Sequence, residues 1–62
     1  MKTEFYLNKD LLITLDTYII LPNFSDVVLD EKCYTVVCSL FYPKLELVKV
    51  ELIQKEIHFA VN

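Results

Sequence analysis

Alternation of apolar and polar side chains is the feature that most constrains the fold of this chain. Across residues 11–21 the odd positions are mostly apolar and the even positions are mixed. A period of two places successive side chains on opposite faces of a strand, so this segment is predicted to be a half-buried strand. Residues 3–7 offer a shorter partner strand. The residues between the two favour a turn, which predicts a first β-hairpin closed by Asn8, Lys9 and Asp10.

The chain contains no glycine, so its turns must be built from other residues. Asn and Asp tolerate left-handed backbone conformations better than most residues. Pro22 and Asn23 are predicted to end the second strand, and Pro43 with Lys44 is predicted to form a later turn. Residues 24–32 are predicted to be a connection, with room for one short strand or one helical turn.

Residues 33–42 show alternation with apolar side chains on both faces. A strand that is covered on both faces reads this way, so this segment is our candidate for the central strand of a sheet.

The tail, residues 45–61, has helix-forming composition but no apolar stripe at helical spacing. Alternation with a period of two instead predicts two strands in the tail. The apolar side chains switch from odd to even positions after Leu47 and back to odd positions after Leu52. These changes predict a bulge and then a turn near residues 54–56. One face of each predicted strand is apolar, formed by Val48, Val50 and Leu52 in the first and by Ile57, Phe59 and Val61 in the second.

These patterns predict an all-β fold, a small antiparallel sheet or open barrel of about five strands. An α+β fold with a C-terminal helix is the alternative. With 62 residues the chain is expected to form a single domain, residues 1–62, with a small core. Its hydrophobic fraction of 55% exceeds the roughly 45–50% of an average globular domain. Such an excess predicts a partner protein or a self-interface, and a homo-oligomer, most simply a dimer, is expected.

The net charge, the absence of arginine and glycine, and the shortness of the apolar runs argue against several classes of ligand and partner. The net charge is −3 and arginine is absent, whereas nucleic-acid binders usually carry a basic stripe, so we expect no nucleic-acid partner. Phosphate-cradling loops need glycine, so we expect no nucleotide or other cofactor. The longest apolar run covers only residues 18–21, which predicts no membrane partner. The first residues lead into no long apolar segment, so we expect no leader peptide, and two free thiols favour a reducing cytoplasm.

The cysteines and the single histidine do not form a recognisable reactive site. Cys33 and Cys38 lie on one predicted strand, about 17 Å apart and on opposite faces, so we expect two buried free thiols rather than a disulfide. His58 is expected to be exposed, and catalysis would require it to meet one of these thiols. We therefore predict no enzyme activity, no catalytic residues and no metal site.

Binding is the function that remains. Tyrosine is enriched at protein interfaces, because its ring is apolar and its tip is polar. The predicted partner-binding residues are four tyrosines and four carboxylates: Tyr6, Asp16, Tyr18, Asp26, Asp30, Glu31, Tyr34 and Tyr42. The abundance of residues with AT-rich codons is typical of short bacteriophage reading frames. We therefore expect an acidic, cytoplasmic protein-interaction module, such as a bacteriophage inhibitor of a host protein, with a structural protomer of a homo-oligomer as the alternative.

Overall fold

The computed structural model of the protein describes residues 1–55, which form one five-stranded sheet curled into an open half-barrel. The strands are β1 (Lys2–Leu7), β2 (Asp10–Leu15), β3 (Asp26–Leu29), β4 (Lys32–Tyr42) and β5 (Leu47–Gln54). A single 3₁₀ turn, Pro43–Leu45, joins β4 to β5. The all-β prediction is confirmed, and no α-helix occurs among residues 1–55.

The strands lie in the order β2-β1-β5-β4-β3. Three neighbouring pairs are antiparallel, while β1 and β5 run parallel, so the sheet is mixed. The central strand is therefore β5. The predicted central strand, β4, has β5 on one side and the short β3 on the other.

Both hairpins use two-residue turns without glycine. Asn8 and Lys9 have φ of 50° and 72°, and Asp30 and Glu31 have φ of 49° and 65°. Positive φ at both central residues is characteristic of a type I′ turn, whose twist matches that of the flanking strands. The predicted turn after β1 is confirmed. The second turn explains β3, since the predicted connection folds back on β4 and pairs along all four of its residues.

The second strand is shorter than predicted, because β2 ends at Leu15 rather than Leu21. Residues 16–25, here called the crossing segment, leave β2 at one edge of the sheet and reach β3 at the other. The Thr3 hydroxyl donates a hydrogen bond to the Thr17 carbonyl at 2.7 Å and accepts one from the Ile19 amide at 3.2 Å. These bonds hold the crossing segment over the sheet and end the strand earlier than alternation implies.

The core lies on the face that the crossing segment covers, here called the core face. Its buried apolar side chains come from β1, β4 and β5, and Leu21 of the crossing segment packs against them. They are Phe5, Tyr34, Val36, Val48, Val50 and Leu52. The predicted apolar face of the first tail strand is thus confirmed.

The predicted bulge after Leu47 is wrong, because β5 pairs with β1 without a register shift. Leu47 and Ile53 change the apolar parity because they lie on the opposite face from Val48. The irregularity is on β4 instead, where Val37 is the extra residue between Val36 and Cys38.

The rest of the predicted tail lies outside the described residues. This applies to the second tail strand with Ile57, Phe59 and Val61, to the end of the turn near residues 54–56, and to His58. Among the described residues, no helix has the length and apolar character needed to cross a membrane.

Candidate protein-interaction surface

The face opposite the core, here called the outer face, carries an open groove. Strand register places alternate side chains of β1, β5 and β4 on this face. The groove has a volume of about 530 Å³ and crosses all three strands. We call it the outer-face groove, and define it by six side chains: Tyr6, Leu40, Tyr42, Lys49, Glu51 and Ile53.

Lys49 lies at the centre of the outer-face groove, between two aromatic rings. Its Nζ is 5.5 Å from the centroid of the Tyr6 ring and 5.4 Å from that of the Tyr42 ring. The arrangement follows from the sheet, since β5 is flanked by β1 and β4 and diagonal neighbours on one face lie within reach of long side chains. The attraction of an ammonium for an aromatic face keeps this cation in place.

Tyr6 is fixed further by a neighbour on its own strand. Its hydroxyl donates a hydrogen bond to the Glu4 carboxylate at 2.7 Å. That hydrogen bond raises the pKa of the Tyr6 phenol, and partial desolvation and the Glu4 charge act in the same direction. The ring is therefore a neutral contact surface at physiological pH.

The outer face also carries a thiol next to a carboxylate. The Cys38 Sγ donates a hydrogen bond to Oε2 of Glu51 at 3.4 Å. This contact raises the pKa of the Cys38 thiol, with partial desolvation and the negative charge of Glu51 adding to it. Nucleophilic cysteines need the opposite shift, so this environment suppresses the reactivity of Cys38.

The two cysteines are free, as predicted, but they are partly exposed and they share the outer face. The extra residue Val37 reverses the alternation of β4 between the two cysteines. Cys33 lies on the outer face because the next residue, Tyr34, faces the core, and Cys38 lies on the outer face beside its cross-strand neighbour Glu51. The prediction that they lie on opposite faces is therefore wrong.

The predicted binding residues are spread over the whole molecule, and only two of them meet. Tyr6 and Tyr42 line the outer-face groove, on either side of Lys49. Tyr18 packs edge-on against Phe41, with ring centroids 6.1 Å apart. Tyr34 is 6% exposed and belongs to the core, so we leave it out of the interaction surface.

The four predicted carboxylates do not gather at one site. Asp26 forms a salt bridge with Lys55 at 2.9 Å, and Asp30 and Glu31 form the exposed β3–β4 turn. Asp16 lines a smaller cleft of about 320 Å³ at the far end of the outer face, near Glu46.

Sequence reasoning missed four members of the groove: Leu40, Lys49, Glu51 and Ile53. A signal for Lys49 was present, because alternation placed it opposite Val48 and Val50 in the tail strand. Nothing local shows that β5 is the central strand, which is the property that brings Lys49 between Tyr6 and Tyr42.

Among residues 1–55, no three side chains of the His, Cys, Asp and Glu types lie close enough to hold a metal ion. Comparison with family models, curated proteins and solved structures finds no match to this chain. The interpretation of function therefore depends on the geometry of the outer face.

Proposed function

We propose that the protein is a non-catalytic interaction module that binds a partner protein through the outer-face groove and inhibits it by covering the partner's surface. The observation that carries the proposal is Lys49 held between Tyr6 and Tyr42 in an open groove of about 530 Å³. Tyrosine is among the residues that most often dominate binding energy in protein interfaces.

The charges of the outer-face groove favour one kind of partner. Lys49 lies inside it and Lys9 lies at its rim, while Glu51 is the one carboxylate among the described lining residues. Within residues 1–55 the ion pair with an N–O distance below 4.0 Å is Lys55–Asp26, so Lys49 keeps an ammonium that a partner can engage. We therefore favour a partner segment that presents a carboxylate.

The apolar part of the groove defines the rest of that segment. Leu40 and Ile53 are 41% and 53% exposed on the walls. Apolar side chains next to the partner's carboxylate would cover them, and covering them would account for part of the unusually high apolar content. The two free cysteines support the cytoplasm as the compartment, and the composition that favours a bacteriophage origin makes a host protein the expected target.

A capture experiment with charge-matched variants tests this function. Wild-type protein, Lys49→Glu and Lys32→Glu would be immobilised and exposed to the same bacterial lysate. Lys32 is an exposed residue at the β3–β4 turn, so its variant makes the same charge change away from the groove. We expect wild type and Lys32→Glu to retain one stoichiometric protein that Lys49→Glu loses.

The captured protein would then be purified and titrated by calorimetry. A loss of affinity of roughly tenfold or more for Lys49→Glu, with Lys49→Arg close to wild type, is the expected result. Equal affinity for wild type and Lys49→Glu, or no stoichiometric capture by wild type, would overturn the proposal.

A further inference from the structure

The longest strand of the sheet is paired on one side along only part of its length. β4 has 11 residues, whereas its neighbour β3 has four and pairs with residues 32–35. Phe24 and Ser25 extend this contact by one residue, through hydrogen bonds between their backbone and that of Val36. Among the described residues, nothing pairs with the same side of residues 37–42, here called the free edge.

Apart from the extra residue Val37 at its start, the free edge lacks the features that usually prevent strands from pairing between molecules. Proteins protect such edges with charged side chains, proline, bulges or very short strands. Residues 33–42 contain no charged residue and no proline, so the free edge is six residues long and uncharged.

The other two edges of the sheet are protected. β3 is short and carries Asp26 at its start. β2 begins with Asp10, is followed by Asp16, and contains an irregularity of register opposite Phe5 and Tyr6. Two copies that met through β2 in antiparallel orientation would bring like charges together at both ends, which opposes pairing.

Apolar side chains line the free edge on both faces of the sheet. Four of its side chains, Val37, Leu40, Phe41 and Tyr42, are 38–54% exposed. Phe24, which is 80% exposed, lies just before the start of β3, beside Val36 and next to the free edge. Pairing of this edge would therefore cover apolar area as well as backbone polar groups.

A second copy of the same chain fits these properties. An antiparallel strand pair related by a two-fold axis is self-complementary in its hydrogen bonds and in its side chains. The same arrangement brings Lys44, just beyond the free edge in one copy, toward the Asp26–Lys55 ion pair of the other copy. No charged side chains meet in the middle of the paired strands, so like charges do not oppose pairing there.

We propose that the protein forms a two-fold dimer in which the free edges of two copies pair antiparallel and join two five-stranded sheets into one sheet of ten strands. The dimer surface shares Leu40 and Tyr42 with the outer-face groove but includes neither Lys49 nor Tyr6. The dimer goes beyond the proposed function and is tested without any partner protein.

Sedimentation velocity over a range of protein concentrations tests the proposal. We expect wild type to form a dimer as concentration rises, Leu40→Lys to remain monomeric, and Leu11→Lys to dimerise like wild type. Leu11 is an exposed apolar residue on β2, so its variant is the matched control at the other edge. A wild-type protein that stays monomeric at about 1 mM, or loss of the dimer in Leu11→Lys but not in Leu40→Lys, would overturn it.

A second measurement uses wild type alone, in case Leu40→Lys does not fold. Isotope-labelled and unlabelled chains would be mixed, and contacts between copies would be detected by filtered nuclear Overhauser spectra. Contacts between copies are expected within residues 37–42. Contacts confined to β2 or to the outer face of β1 would contradict the proposed dimer.

Discussion

Six of the described residues, 1–55, adopt positive φ although each carries a Cβ atom, and four of them form the two hairpin turns. The left-handed region costs an L-residue about 1–2 kcal/mol, because Cβ approaches the following carbonyl oxygen. Asn8 and Asp30 reduce this cost with short polar side chains, but Lys9 and Glu31 do not. The turns are therefore places where the fold stores strain.

Relief of this strain should stabilise the protein. For Lys9→Gly we expect the free energy of unfolding to rise by about 0.5–1 kcal/mol, since the left-handed cost disappears and part of the gain is lost to the freer unfolded chain. Lys9→Ala removes the same charge but keeps Cβ, so it is the control. Urea unfolding of both variants measures the difference, and equal stability of the two would refute the strained turn.

The reactivity of the Cys38 thiol tests whether its Sγ contacts the Glu51 carboxylate on the outer face. In a Cys33→Ser background, Glu51→Gln should lower the raised pKa of Cys38 toward its ordinary value of 9.0, because the carboxylate that opposes ionisation is gone. A larger thiolate fraction at pH 8 means faster alkylation by iodoacetamide. Glu46→Gln, which removes the same charge between the 3₁₀ turn and β5, is the control. An unchanged alkylation rate in Glu51→Gln would show that the two side chains do not meet.

At the scale of single elements, Asp26 and Lys55 connect the short strand β3 to the end of β5 across β4. The hydrogen bond from Lys55 lowers the pKa of Asp26, and the one to Asp26 raises the pKa of Lys55. A lowered carboxylate pKa stabilises the fold above the unfolded value, here about 3.8, and the contribution disappears as pH falls through the folded value. The raised lysine pKa contributes below 10.5 and is lost in stronger base.

The stability deficit of Asp26→Asn should therefore depend on pH. We expect it to be constant between about pH 5 and pH 9 and to shrink below pH 4, where wild type loses the same ion pair. Thermal unfolding followed by circular dichroism across this range measures it. A deficit of the same size at pH 2.5 and pH 7 would mean that the ion pair does not stabilise β3.

The crossing segment depends on one buried hydroxyl. Thr3 is 0% exposed, and its hydroxyl serves both the Thr17 carbonyl and the Ile19 amide. Thr3→Val keeps the shape but leaves two backbone groups without this partner, so we expect a loss of about 1–3 kcal/mol in the free energy of unfolding. Thr3→Ser keeps the hydroxyl and is expected to lose less. If valine and serine at this position destabilise equally, the hydroxyl does not hold the segment.

Elements determined by neighbouring residues in the sequence were predictable, and those determined by contacts between residues far apart in the chain were not. The first hairpin and the buried face of β5 follow from turn residues and alternation. The early end of β2 depends on Thr3, which lies 12 or more residues away, and the reversal at Val37 is hidden because both faces of β4 are apolar. The candidate site was predictable only as Tyr6 and Tyr42, since the position of Lys49 between them requires the parallel pairing of β1 with β5.

For the molecule as a whole, a half-barrel with one covered face leaves the other face available for binding. The crossing segment protects the core face, whereas the outer-face groove lies open and carries a positioned cation. The proposed dimer would extend this open face, because the two sheets become continuous at β4. Partner binding and self-association would then share Leu40 and Tyr42 and would otherwise use different parts of the same surface.

Chemical-shift mapping with the captured partner tests the use of the outer-face groove most directly. Amide shifts of isotope-labelled protein would be followed as the purified partner is added. We expect the largest changes at Tyr6, Leu40, Tyr42 and Lys49, with little change at the β3–β4 turn. Changes that cluster on the crossing segment or at residues 30–32, with the groove unaffected, would contradict the assignment of the outer face as the binding surface.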